Sequence, residues 1–238
     1  MLLAAAVRWG YQQDPRTLPA ELAQDCRLLR MRCARTGWDF EAARKEISAY
    51  TEHLPQDAPV VERLEATIDV LDIDTDDERI NETRSPERSA ERLAQAQEAA
   101  AALARTAEEL LDAPAQQDGR RAQLVTAYRT ATRASQLLSG LGDHDGAAAQ
   151  LALASRIAPL VEDMRLPSAV ALHTQLEMLE AERLLEAGDL YGACVLADEV
   201  VHRFDPCPFI LAADARSVLI NASLRMDQTQ EEIGRAHV

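Results

Sequence analysis

The chain has 238 residues, of which 47% are hydrophobic, 27% charged and 4% aromatic, so it is long enough to bury a core as one or two domains. Its 43 alanines and 31 leucines are typical of helices, and β-branched and aromatic residues are too scarce for a β-sandwich. The net charge of −15 disfavours direct contact with nucleic acid or anionic membrane surfaces. The sequence contains no uninterrupted apolar stretch of about 20 residues, so no membrane span is predicted.

Apolar periodicity and helix punctuation predict helices along the chain. In chain order they are 1–12, 18–36, 39–53, a helix starting near Pro59, 86–112, 120–139, 145–164, 168–187, 190–204 and 209–226. Residues 73–85 are strongly polar and carry no apolar pattern, which predicts an exposed acidic linker. We therefore expect an all-α protein with N-terminal helices in 1–72, the linker, and a helical array in 86–232.

The two ends of the chain suggest its origin and compartment. The last six residues, 233–238, resemble one translated frame of a sequencing adaptor, which predicts a non-native tail and a longer natural protein. The N-terminal residues lack the order of a signal peptide, so a cytoplasmic protein is expected. The four cysteines (Cys26, Cys33, Cys194 and Cys207) are expected to be reduced thiols, since Cys26 and Cys33 share a helix face.

Three glycines mark an internal repeat: Gly37, Gly142 and Gly188. The residues that match are alanines five positions later (Ala42, Ala147, Ala193), Ala49, Ala154 and Val200 at twelve, and Pro55, Pro159 and Pro206 at seventeen or eighteen. This spacing predicts helix hairpins in which glycine takes the left-handed conformation, small residues allow close helix packing, and proline ends the second helix.

The pattern resembles the tetratricopeptide repeat. The small and bulky first-helix positions of that family would correspond to Ala181 and Leu184, Ser135 and Leu138, and Arg30 and Cys33. The spacing of 46 residues between the second and third glycines is longer than the family's period of about 34. The resemblance implies antiparallel helix hairpins stacked as a right-handed superhelix, with the first helices lining a concave groove that binds a peptide.

Carrying the family's groove positions over to this sequence gives a set of candidate partner-binding residues. They are Arg27, Met31 and Arg35 in the first copy, Arg129 and Gln136 in the second, and Gln175, Met178 and Glu182 in the third. The arginines suggest a carboxylate-bearing ligand, although pairing with neighbouring acidic residues on a solvated face is the preferred interpretation.

The remaining motifs do not predict a metal-binding or catalytic site. The alternating aspartates of 72–76 resemble a calcium loop, but Asp77 and Thr83 stand where glycine and glutamate are required, so no metal is expected. Asp143, His144 and Asp145 are interpreted as helix-capping residues. Without a reactive constellation or cofactor motif, the sequence predicts a non-enzymatic scaffold that binds a protein or peptide. The alternative is the ligand-sensing region of a bacterial transcription regulator whose DNA-binding domain lies elsewhere.

Overall fold

The computed structural model describes residues 20–83, 85–114, 119–161, 169–204 and 215–226. Its helices are α1 (Ala20–Thr36), α2 (Phe40–Glu52), α3 (Val60–Ile80), α4 (Pro86–Asp112), α5 (Arg120–Gly140), α6 (His144–Val161), α7 (Ala169–Ala187), α8 (Leu190–Phe204) and α9 (215–226). No strand occurs within these ranges, and the all-α prediction is confirmed. The predicted helix 1–12 and the tail 233–238 lie outside the described residues.

Helix α3 corrects the prediction of an exposed linker over 73–85. The helix continues to Ile80, and Ile73 and Glu78 are buried within its last turns. The acidic stretch lacked an apolar period because arginines of neighbouring helices, and not apolar side chains alone, cover it. Only 81–83 and Ser85 of the predicted linker lie outside a helix among the described residues.

The chain divides into two compact units between Ala99 and Ala100, inside α4. In the first unit α1 packs on α2, and α2 packs on α3. Their shared core contains Leu28, Met31, Phe40, Ile47 and Tyr50. In the second unit each helix from α5 to α8 packs on the next, and α5 also contacts α7.

The helix hairpins share one corner, but the first copy is shifted by one residue from the predicted register. Gly142 and Gly188 take left-handed φ values of 90° and 86°, as predicted. In the first copy Trp38, with φ of 61°, takes this conformation in place of Gly37. The amide of Gly37 instead donates to the Cys33 carbonyl at 3.0 Å, so the helical hydrogen bonding continues through the glycine.

An aspartate follows the left-handed residue in each hairpin and caps the next helix. Asp39, Asp143 and Asp189 each accept, through Oδ1, the backbone N–H three residues later at 2.9–3.0 Å. Such a cap satisfies one of the amides that a helix N-terminus leaves without a partner. The capping interpretation of Asp143 is therefore confirmed.

With the left-handed residue as the reference point, the buried positions coincide. The alanine after the capped amide is fully buried in every copy, at Ala43, Ala147 and Ala193. The matching first-copy residue is therefore Ala43, and the predicted Ala42 is wrong by one position. The first-helix positions shift in the same way, from Arg30 and Cys33 to the buried Met31 and Ala34, equivalent to Ser135 and Leu138.

The prolines only partly fulfil their predicted role. Pro55 lies in the loop after α2 and follows Trp38 at the same distance as Pro159 follows Gly142. Pro159 lies inside α6, which continues to Val161, so it does not end that helix. Pro206 lies outside the described residues.

Candidate functional site

Two of the predicted groove residues are core residues. Met31 is 1% exposed and packs in the first unit's core, and Met178 is 3% exposed in the core formed by α7, α8 and α9. Arg27 is also buried, and its guanidinium lies 3.5 Å from Gln24 Oε1. Because none of these side chains is open to a partner, their assignment to an accessible groove is wrong.

Arg35 lies between two carboxylates of α3. Its Nη1 contacts Asp72 Oδ2, and its Nε donates to Asp76 Oδ2 at 2.7 Å. This geometry matches the interpretation in which the arginines of the first copy pair with acidic neighbours. One of these partners, Asp76, belongs to the segment predicted to be a linker.

A wider network of ion pairs surrounds α3 in the first unit. Arg44 of α2 contacts Asp74 and Asp77 at 2.8 and 2.6 Å. Arg92 of α4 lies 3.0 Å from Asp74 and donates to both carboxylate oxygens of Glu78. Because each aspartate is engaged by an arginine, the alternating carboxylates act as helix-packing groups.

Burial sets the acidity of Asp72. Desolvation raises its pKa to about 6, and the neighbouring Arg35 opposes the shift without cancelling it. For Asp77 the direction is opposite, because the hydrogen bond from Arg44 lowers the pKa of its more accessible carboxylate. A buried carboxylate with a raised pKa makes the first unit sensitive to pH.

In the second unit, helix α5 is buried on most of its circumference and open along one side. The open side carries Arg129 and Arg133, both half-buried, and the exposed Gln136. The neighbouring residues of α5 are buried, including Tyr128, Thr132 and Ser135, and Ser135 is the predicted small first-helix position of this copy. We refer to Arg129, Arg133 and Gln136 as the α5 stripe.

Helix α7 contributes polar groups beside α5. Glu186 of α7 accepts a hydrogen bond from the Ser139 hydroxyl of α5 at 2.6 Å. Glu182, one turn before, is half-buried. Gln175 is also a predicted groove residue of the third copy, but its side chain lies outside the described residues.

A pocket of about 290 Å³ lies beside Arg35 in the first unit. It is lined by Arg35, Trp38, Phe40, Asp76, Arg79 and Ile80. Trp38 is 69% exposed, and Arg79 is paired with Asp76 at 2.8 Å. The charges of the pocket are therefore largely balanced.

A second and more apolar pocket of about 350 Å³ lies in the second unit. It is lined by Ala148, Leu151, Ala152 and Ser155 of α6, Leu176, Glu177 and Glu180 of α7, and Leu196 of α8. We call this surface the α6–α8 groove. The sequence did not predict it, because the groove joins residues of three helices.

Within the described residues, no group of three or more histidine, cysteine, aspartate or glutamate side chains is arranged to hold a metal ion. Cys26, Cys33 and Cys194 are reduced thiols, and burial raises the pKa of the Cys26 thiol. Cys207 lies outside the described residues.

None of the described helices combines the length and apolar character that crossing a bilayer requires. Comparisons with protein-family models, with curated proteins and with solved structures give no match to this chain.

Proposed function

We propose that this protein is a protein-interaction scaffold of stacked, tetratricopeptide-like helix hairpins that binds a peptide segment along the α5 stripe. The observation that supports this proposal best is the repeated corner, with a left-handed residue, a capping aspartate and a fully buried alanine in each hairpin. A supersecondary unit repeated in this way buries its apolar faces against its neighbours, and its first helices are left to carry a binding surface.

The second unit provides the surface for this role. Two successive first helices, α5 and α7, are in contact, so their accessible sides form neighbouring parts of one surface. The α5 stripe supplies the guanidinium groups of Arg129 and Arg133 and the amide of Gln136. Guanidinium and amide donors suit peptide carboxylates and backbone carbonyls, so we expect acidic or extended segments to be preferred.

Selection of a random peptide library on the purified chain tests this proposal. The peptides that are enriched should bind the Arg129→Glu variant at least about ten-fold more weakly than the wild type, because the substitution replaces a donor by a repelling charge. Arg121→Glu is the matched control, since it changes the same charge at an exposed position of the same helix.

Comparing Arg129→Glu with Arg121→Glu distinguishes binding by the α5 stripe from an effect of net charge. Equal binding to Arg129→Glu and to the wild type would contradict the assignment of the α5 stripe. Equal losses in both arginine variants would show that net charge, and not the stripe, controls binding. Circular dichroism of each variant confirms that its helix content is unchanged.

A further inference from the structure

The α6–α8 groove is a mainly apolar surface that shares no residue with the α5 stripe. Its α6 wall consists of Ala148, Leu151, Ala152 and Ser155, which follow the spacing i, i+3, i+4 and i+7 along one helix face. Seven residues of helix extend about 10 Å, so the groove follows roughly two helical turns. An amphipathic helix whose apolar anchors follow the same spacing can pack against such a helix face.

The groove has an apolar floor and small residues on its α6 wall. Leu151 and Leu176 are 5% and 8% exposed and form the floor with the partly buried Leu196. Ala148 and Ala152 are too short to fill the space above these leucines. Since Ala152 is exposed, this space is open to aliphatic side chains of a partner.

The polar groups of the groove accept hydrogen bonds and carry negative charge. Glu177 and Glu180 line it, and no basic residue does among the described residues. Arg183 of α7 donates to both carboxylate oxygens of Glu180, at 2.7 and 2.5 Å. The Ser155 hydroxyl donates to the Leu151 carbonyl at 2.9 Å, which leaves its oxygen as an acceptor.

Further acidic groups lie near Arg183 and on α8. Asp145 and Asp189 are close enough to Arg183 to raise its pKa together with Glu180. Glu199 is exposed three residues after Leu196 on α8. A ligand that is apolar on one side and basic at its edges matches this combination of floor and rim.

We propose that the α6–α8 groove binds an amphipathic helix of a partner protein, with aliphatic side chains on the leucine floor and arginine or lysine beside Glu177. This surface is not one of the groove positions implied by the repeat resemblance. The proposal holds whether or not the α5 stripe binds a peptide.

A designed peptide tests the proposal with the full chain. The probe is a fluorescein-labelled amphipathic helix of about 18 residues, with leucines at i, i+3, i+4 and i+7 and arginines at its edges. A matched probe carries glutamate in place of each arginine. We expect saturable binding of the arginine probe by fluorescence anisotropy, and at least about ten-fold weaker binding of the glutamate probe.

Paired variants separate groove binding from general attraction to an acidic chain. Ala152→Arg places a long cation in the groove, and Ala149→Arg adds the same charge at an exposed position of α6 that does not line it. We expect at least about ten-fold weaker binding for Ala152→Arg and little change for Ala149→Arg. Equal effects of the two variants, or no saturable binding to the wild type, would overturn the proposal.

Glu177→Gln provides a second and milder test. Removing this charge while keeping the side-chain size should reduce the preference for the arginine probe over the glutamate probe several-fold. An unchanged preference would overturn the role of Glu177. Circular dichroism before each titration verifies that the variants remain helical.

Discussion

At the scale of single residues, Trp38 occupies a backbone conformation that the equivalent corners assign to glycine. Its φ of 61° places a bulky side chain in the left-handed region, and 69% of that side chain is exposed. Because the side chain is exposed, its packing contributes little free energy to offset the strain of the left-handed conformation. The hairpin tolerates this cost because the next two residues, Asp39 and the buried Phe40, begin α2 in the correct register.

We predict that Trp38→Gly stabilises the first unit by up to about 1 kcal/mol, because glycine adopts positive φ without steric strain. Gly142→Ala and Gly188→Ala should destabilise by about 1 kcal/mol. A Cβ added at either glycine meets no atom within 4 Å, so their cost reports the backbone conformation alone. Urea unfolding measures all three variants, and a loss of stability in Trp38→Gly would contradict the strain argument.

The buried Asp72 leads to a prediction about pH. Its folded-state pKa of about 6 lies above the ordinary value of 3.8, so the folded state holds the proton more tightly than the unfolded state. The contribution of Asp72 to stability therefore falls as pH rises from about 4 to about 6. Asp72→Asn removes this dependence, and its stability relative to wild type should increase by up to about 3 kcal/mol between pH 4 and pH 7.

Urea unfolding of the wild type and Asp72→Asn at several pH values tests this sign. The other carboxylates titrate in both proteins, so their contributions cancel in the difference. A difference in unfolding free energy that does not vary with pH would show that Asp72 is not protonated in the folded state within this window.

At the scale of elements, each hairpin combines a helix stop and a helix start within a few residues. The amide of Asp143 donates to the Leu138 carbonyl at 2.8 Å, and its side chain caps α6. Asp189 does the same for α7 and α8. Arginine side chains donate to carbonyl groups near the C-terminal ends of two helices. Arg120 donates to the Leu110 carbonyl of α4, and Arg225 donates to the Leu185 carbonyl of α7.

We predict that Asp143→Ala and Asp189→Ala each cost about 1 kcal/mol, because each leaves a helix amide without its acceptor. The Asp→Asn variants at these positions retain a side-chain oxygen and should lose less than half as much. Chemical unfolding of the four variants measures the effect. Equal losses for alanine and asparagine would mean that charge, and not the capping hydrogen bond, is responsible.

At the scale of the whole molecule, the same corner occurs in both compact units. Ala43 belongs to the first unit, and Ala147 and Ala193 belong to the second. All three are fully buried. Because protein interiors are closely packed, we expect a larger side chain at these positions to overfill the core. The same corner, with the same buried alanine, therefore occurs in both units.

Leucine substitutions test whether the buried alanine position of each hairpin tolerates a larger side chain. We predict that Ala43→Leu, Ala147→Leu and Ala193→Leu each destabilise by about 1–3 kcal/mol through overpacking. Ala42→Leu, at the half-buried position that the glycine alignment selects, should cost much less. Thermal unfolding of the four variants distinguishes the two registers, and a larger loss for Ala42→Leu than for Ala43→Leu would restore the original alignment.

The sequence by itself determined the helical class, most helix boundaries and the existence of the hairpin repeat. These features depend on groups a few residues apart, such as a glycine followed by an aspartate and a small residue. The left-handed glycines at 142 and 188 and the capping Asp143 could be predicted for this reason.

Only the tertiary structure decided the features that depend on distant residues. Arg35 meets Asp76 across 41 positions, and Arg44 meets Asp77 across 33, so the stretch predicted to be a linker became helical. The α6–α8 groove likewise joins residues of three helices. Such partners leave no local pattern, because the free energy of an ion pair or an apolar surface depends on which helices pack together.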